Sequence, residues 1–409
     1  MIALLEFSVL NFRSFFTKRS ISFVASSIKD EPRENVVSYN RVKYLRTSAV
    51  YGANSSGKTN LLLAMGAMTL MVKESAKLND GDNLPYDPFA LSTLSRTKPT
   101  MFEVTFIVGN QKFRYGYEFN EERITSEWLY NSTTKSAKET VLFVRTLDGI
   151  AINEDIFKEG IGLEVKTNDN RLFVSLVAQL GGEDTISKKV MSFFRDFNVI
   201  SGLTDYGYHD ITKNIFLTEA DEAKGAMNLF KELQLGFSEI MAKELKEENG
   251  KTEINIYTRH PVYTRNGRIK RNMYFNMDYM ESAGSKKLFE LAGPIINTLL
   301  KGKVLVIDEL DAKMHPLISR HIVDIFNNPE KNPKNAQLIF STHDTHLLSS
   351  SVLRRDQIWF TEKDEREETD VYSMKDILLP DGSKPRSDSN LEKNYIMGRY
   401  GAIPFILNN

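Results

Sequence analysis

The chain has 409 residues, with 53 Lys plus Arg against 54 Asp plus Glu and no cysteine. That near balance excludes a globally basic nucleic-acid binder. The missing cysteines exclude disulfides, Fe–S clusters and Cys-ligated zinc, and fit a reducing compartment. The length suffices for two or three domains with buried cores.

The N-terminal run MIALLEFSVLNFRSF has no basic segment and carries Glu6 inside its apolar stretch, so it does not read as a signal peptide. Leu4–Phe12 alternates as a strand does, and Ser20–Ala25 reads as its hairpin partner. Between them lies Arg13, with two readings open: a solvated turn residue, or a phosphate contact placed by the strand pair. The polar stretch Ser26–Arg46 reads as a loop.

Thr47–Tyr51 is apolar enough for a buried strand, and Asn60–Val72 for a buried helix. Between them Gly52-Ala53-Asn54-Ser55-Ser56-Gly57-Lys58-Thr59 satisfies G-x-x-x-x-G-K-[ST] in full. Such a loop wraps phosphates with backbone N–H groups in conformations that glycine tolerates, then opens a helix whose free N–H groups face the anion. The expectation is a nucleoside triphosphate held by Gly52, Asn54, Ser55, Ser56, Gly57, Lys58, Thr59 and Asn60. Lys58 would reach the β/γ oxygens and the Thr59 hydroxyl would ligate Mg²⁺. Leu61–Val72 is the longest apolar run and is too short to span a bilayer, so a cytoplasmic protein with no membrane partner is expected.

Leu78–Phe89 is turn-rich. Phe102–Val108, Phe113–Phe119, Glu127–Asn131 and Val141–Val144 read as an antiparallel meander. Leu172–Leu180, Ile186–Phe197 and Ala220–Glu247 read as helices, making 150–250 a mostly helical insertion. It separates a first lobe, 1–149, from a second, 251–409. No heptad array is long enough for a coiled-coil arm. Thr252–Thr258 alternates strictly, and Asn266-Gly267 joins Pro261–Arg265 to Arg268–Phe275 as a tight hairpin. Arg259, Arg265, Arg268, Lys270 and Arg271 crowd it beside Tyr257, Tyr263 and Tyr274. A solvated face and a nucleic-acid surface both fit that composition.

Glu281-Ser282-Ala283-Gly284-Ser285 opens the apolar helix Leu288–Leu300, either as a plain capped start or as an anion site. Lys303–Leu310 (KVLVIDEL) is an apolar strand ending in two carboxylates. Asp308 would hold Mg²⁺ through water, and Glu309 would polarise the water attacking the γ-phosphate. Gln337–Ser341 is a second buried strand, followed by His343, which can donate to a γ-phosphate oxygen.

Together these residues resemble the ABC-type ATPase superfamily. Gly52–Thr59 matches Walker A and Val304–Glu309 matches Walker B. Glu281–Ser285 is similar to the signature motif, Leu310–Pro316 to the D-loop and His343 to the switch histidine. More narrowly, NFRSF, YGANSSGKTNLL, ESAGSKKLF, VIDELDAKMHP and QLIFSTHDTHLL resemble the bacterial AAA-15/AAA-21 group. That group takes in the OLD-like, RloA-like and AbiL-type ATPases of phage-defence loci. Asp356–Phe360 and Arg386–Pro404 are similar to its C-terminal pattern.

The resemblance implies an α/β fold, an ABC/SMC-like ATPase head with a mixed sheet carrying the P-loop, an antiparallel β meander and a helical insertion. It implies an ATPase with ATP and Mg²⁺ as cofactors and Glu309, His343 and Lys58 as catalytic residues. Ser282 and Gly284 would complete the pocket of the opposite protomer in a two-fold ATP-sandwich homodimer. Head closure would gate a separate effector, a nuclease or toxin, in antiviral defence. A DNA repair or recombination ATPase of SMC or recombination-mediator type is the alternative. Ala283 and Ser285 depart from the Leu-Ser-Gly-Gly of transporter subunits. Gln179 is the candidate for the Q-loop. The resemblance does not extend to the Toprim nuclease domain of full-length OLD proteins.

Overall fold

The computed structural model describes residues 1–28, 32–136, 138–203, 208–219, 221–246, 252–379, 382–386 and 389–404. The first strands are β1 (Ile2–Leu10), β2 (Arg19–Ser22), β3 (Val36–Tyr39), β4 (Val42–Leu45) and β5 (Thr47–Tyr51), and the P-loop helix is α1 (Lys58–Glu74). The meander follows as β6 (Thr100–Val108), β7 (Gln111–Phe119), β8 (Ile124–Thr133), β9 (Thr140–Thr146) and β10 (Gly149–Ile152). Next come α2 (Phe173–Leu180), α3 (Ile186–Arg195), β11 (Phe197–Ser201), α4 (Tyr208–Leu217) and α5 (Asp221–Glu232). They lead to β12 (Ile240–Lys246), β13 (Thr252–Tyr263), β14 (Ile269–Asn276), the short α6 (Met277–Met280) and α7 (Ala283–Lys301). The last elements are β15 (Val304–Asp308), α8 (Pro316–Asn327), β16 (Gln337–Ser341), β17 (Ile358–Lys363), β18 (Thr369–Ser373) and α9 (Leu391–Ile396).

These strands build a mixed central sheet in the order β11-β15-β16-β5-β17-β18, parallel except for the last pair. A second, antiparallel sheet runs β10-β9-β8-β7-β6-β1-β2. The expected α/β head, with meander and helical insertion, is the fold this chain adopts.

The continuous apolar runs of β5, β15 and β16 follow from burial on both faces. Side chains alternate across a strand, so Val50, Val304, Val306 and Ile339 enter the core shared with α1, α2, α3 and the meander. Ala49, Tyr51, Leu305, Ile307, Leu338 and Phe340 enter the core under α4, α5, α7 and α8. Helix α1 lies between the two sheets. Its Leu61, Leu62, Met65 and Met68 pack in one cluster with Phe12, Phe102 and Tyr117 of the meander side. Gln337 joins the sheets: its amide accepts from Leu4 N at 2.6 Å and donates to the carbonyls of Leu4 (3.1 Å) and Leu45 (2.9 Å).

Two expectations are corrected. The loop expected over 26–46 contains the β3–β4 hairpin, turned at Asn40 in the left-handed region (φ 55). Its strands are four residues each, too short to show a period. The helix expected over 220–247 stops at Glu232, and 240–246 is strand β12, paired along its length with β13. The helix closes with Gln234 in the left-handed region (φ 50) and Leu235 N donating to Phe230 O at 3.3 Å, and the β13 partner decides the rest. Residues 220 and 247 themselves lie outside the described residues, as do 387 and 388 of the tail pattern. Strand β11, from within 150–250, forms the edge of the central sheet against β15.

Candidate nucleotide site

The loop between β5 and α1 is fixed from behind by residues far along the chain. A Cβ at Gly52 would lie 2.5 Å from the Thr361 carbonyl and 2.6 Å from its hydroxyl, and Gly57, at φ 110, has the Thr369 side chain where a Cβ would go. Ser56 Oγ and Thr361 Oγ1 share a hydrogen bond of 2.7 Å, and Thr369 Oγ1 donates to the Ser56 carbonyl at 3.0 Å. No side chain caps α1 and no acid sits in its first turn. Its positive end and free N–H groups are therefore directed at the cleft.

Lys58 is buried. Its ammonium donates to the carbonyls of Gly52 (2.9 Å) and Ala53 (3.0 Å). Burial pushes its pKa down, while Glu309, Asp308 and Asp311 pull it back up. Those carbonyls are neutral acceptors; a phosphate oxygen offers a charged and stronger one.

The opposite wall comes from the ends of β15 and β16. Ser341 Oγ donates to Asp308 Oδ1 at 2.6 Å and accepts from Glu309 N at 2.7 Å, so one buried hydroxyl aligns both acids. Glu309 adopts a left-handed backbone (φ 57). A Cβ at Gly202, just past β11, would strike the Glu309 carbonyl, and Gly202 N donates to Asp308 O at 2.5 Å. Burial raises the Glu309 carboxyl above its ordinary pKa, Asp308 and Asp311 add to this, and Lys58 opposes it. A carboxylate so shifted is a better proton acceptor. His343 donates its backbone N–H to Asp311 Oδ2 at 3.3 Å. Burial and then Lys58 push the His343 imidazole below its ordinary value, despite Asp311 and Asp308.

One cleft of about 560 Å³ is lined by Asn54, Ser55, Ser56, Gly57, Lys58, Thr59, Asn60, Glu309, His343 and Lys363. The glycine-bounded loop and oxygen donors fit a magnesium nucleotide. Among the described residues no group of three His, Cys, Asp or Glu could cage a metal alone. Mg²⁺ takes one or two protein oxygens together with substrate phosphates. Thr59 and Asp308 would hold it, and when bound it would neutralise charge on the β/γ oxygens.

The remaining candidates lie elsewhere. Arg13 pairs with Asp87 at 2.8 Å and does not line the cleft. Its neighbour Ser14 touches the loop region instead: Ser14 Oγ accepts from Asn60 Nδ2 (2.9 Å) and shares a hydrogen bond with Thr369 Oγ1 (2.8 Å). Gln179 lines a separate cleft with Lys73, Lys188 and Arg195. Ser282 caps α7, accepting from Ser285 N at 3.1 Å; Ser282 is solvent-exposed and Ser285 half-buried. A Cβ at Gly284 would be 3.3 Å from the Lys313 carbonyl, which sets the signature-like turn beside the D-loop-like segment and outside this chain's own cleft. Thr361 and Thr369 escape sequence reasoning. Both are about 300 positions from the loop they brace, and nothing local to them signals it. Ser341, ending a strand beside the Asp308 strand, carries a weak signal.

A family model described as "AAA domain, putative AbiEii toxin, Type IV TA system" matches residues 48–163 and 221–349. No curated protein matches the chain in sequence. Similar solved structures include an SMC head domain from Thermotoga maritima, 16% identical, with 90% of this chain and 98% of that one covered and a TM-score of 0.42. Another is the Smc head domain of Pyrococcus furiosus with an extended coiled coil, bound to the C-terminal domain of ScpA (12% identical, 91% and 96% covered, TM-score 0.40). A third is the recombination mediator protein RecF with ATPrS, of the RecFOR pathway (13% identical, 90% and 98% covered, TM-score 0.36). Among the described residues no helix is long and apolar enough to cross a membrane.

Proposed function

The chain belongs to the AAA_21 family, and from that premise we propose that it is a Mg²⁺-dependent ATPase of ABC/SMC type whose heads close on ATP. The observation that carries this is the single cleft that joins the phosphate loop to Glu309 and His343, about 250 positions later in the chain. Lys58 and the start of α1 bind and orient the triphosphate. Glu309 accepts the proton of the attacking water, and His343 donates to the γ-phosphate. Positioning and electrostatics are nearly all that phosphoryl transfer asks of a protein.

The cleft supplies donors to one side of the γ-phosphate. The exposed α7 start at Ser282–Gly284 is available to a second copy, which supports an isologous sandwich dimer closed by ATP and opened by ADP. For the process served there are two readings: gating of a separate nuclease or toxin in antiviral defence, and DNA repair or recombination. The second has the better support, because the β13–β14 ribbon carries five cations and no acid between Arg259 and Asn276.

Light scattering and cross-linking between positions 56 and 284 test the reading. Lys58→Ala should lose ATP binding, and Glu309→Gln with ATP should accumulate a dimer with the 56–284 cross-link between chains. Wild-type turnover by Lys58→Ala would remove the site assignment. A Glu309→Gln protein without the inter-chain cross-link would remove the sandwich.

A further inference from the structure

Strands β13 and β14 form a ribbon in which every residue from Tyr263 to Tyr274 is exposed. A hairpin with solvent on both faces has no packing reason to be apolar or of one charge, yet this one is both. Tyr263, Ile269 and Tyr274 are 60%, 64% and 46% exposed. Arg259 is matched by Glu239 at 2.8 Å. Arg265, Arg268, Lys270 and Arg271 have no carboxylate partner among the described residues. The chain as a whole has a net charge of −1, so this cationic ribbon stands out from a net acidic remainder.

The base of the ribbon is tied to the signature-like turn. Glu281 Oε1 accepts from Thr258 Oγ1 at 2.6 Å and pairs with His260 Nε2 at 2.8 Å. The His260 ring in turn stacks on Phe275 of β14, with centroids 4.4 Å apart. Glu281 precedes Ser282 directly, and Lys286 Nζ donates to Asp278 O at 2.6 Å, fastening the intervening segment to α7.

We propose that the β13–β14 ribbon binds the phosphate backbone of a nucleic acid, and that Glu281 transmits this binding to the signature-like turn at Ser282. Unpaired Arg and Lys side chains neutralise phosphates and release counterions, and exposed tyrosines offer faces on which bases stack. A two-stranded ribbon can also enter a duplex major groove. Both sources present the same phosphate chemistry, and the assay separates them. This inference deepens the DNA-processing reading above, and because binding is read without ATP, failure of the ATPase reading would appear as absent turnover with binding intact.

Fluorescence anisotropy of the full chain with labelled single-stranded and duplex oligonucleotides, across a salt series, reads the binding. The quadruple variant Arg265→Gln, Arg268→Gln, Lys270→Gln, Arg271→Gln alters only exposed side chains, and circular dichroism should show its fold intact. The expected result is at least a tenfold loss of affinity. For each phosphate that the variant no longer neutralises, the salt slope should flatten by about 0.7 on single strands or about 0.9 on duplex. No wild-type binding at low salt, or equal binding by the variant, overturns the proposal. Polyglutamate that binds the ribbon as tightly as oligonucleotide overturns it in favour of an acidic protein partner. For the coupling, oligonucleotide should change ATP turnover in the wild type and not in Thr258→Val, which loses the hydroxyl bond to Glu281. An identical response in both proteins overturns the Glu281 linkage.

Discussion

Replacing Ser341 by Ala removes one hydroxyl that serves both acids of the cleft. The bond from Ser341 Oγ to Asp308 is 2.6 Å long and ends on a carboxylate, and the bond from Glu309 N is 2.7 Å long and neutral. A hydrogen bond to a charged group contributes about 1.5–3 kcal/mol and a neutral one about 0.5–1.5 kcal/mol. Asp308 is only half-buried, which favours the low end, so the variant should lose roughly 2–3 kcal/mol of stability. Glu309 holds an unfavourable left-handed backbone, which persists only while its surroundings enforce it. With the Glu309 N–H unanchored, its carboxylate should lose alignment with the attacking water. If about 1.4–2.7 kcal/mol of that loss reaches the transition state, turnover falls 10- to 100-fold. Phosphate release and thermal melting measure the two effects. ATP affinity with Mg²⁺ chelated is the control: Ser341 touches the carboxylates and not the phosphate loop, so this affinity should not change. Turnover within twofold of wild type at an unchanged melting temperature would refute the reasoning.

Three further outcomes follow from the same geometry. Asp311 raises the pKa of Glu309 and opposes the downward shift of His343. Asp311→Asn should therefore let Glu309 ionise at lower pH and move the acid limb of kcat/KM to lower pH, with a shift to higher pH counting against the assignment. In Gly57→Ala a Cβ must enter the Thr369 side chain at φ 110, so ATP affinity in a fluorescent-nucleotide titration should fall more than tenfold; wild-type affinity would mean the loop is not built as described. Gln337→Met strips Leu4 and Leu45 of buried hydrogen bonds and should cost about 2–4 kcal/mol in denaturant unfolding, while ATP affinity stays as in the wild type.

The phosphate-type loop, the strand bearing Asp308 and Glu309, the strand before His343 and the meander were all legible in the chain before any folding. Each is a local pattern: a glycine spacing that only one backbone path satisfies, or an apolar run long enough to be buried on both faces. The 266–267 turn and the capped start at Ser282 were legible for the same reason, since the residues that fix them are neighbours in the chain. The remaining features depend on contacts between distant segments. Residues 240–246 could have continued a helix until β13 offered a partner edge. Arg13 pairs with Asp87 at 2.8 Å, while its neighbour Ser14 touches the loop region. Thr361 and Thr369 brace the phosphate loop, and Gly202 presses on Glu309, because the order of strands in the central sheet brings their ends together. No composition, period or spacing along the chain carries that order, since strand neighbours are chosen by how whole faces bury one another.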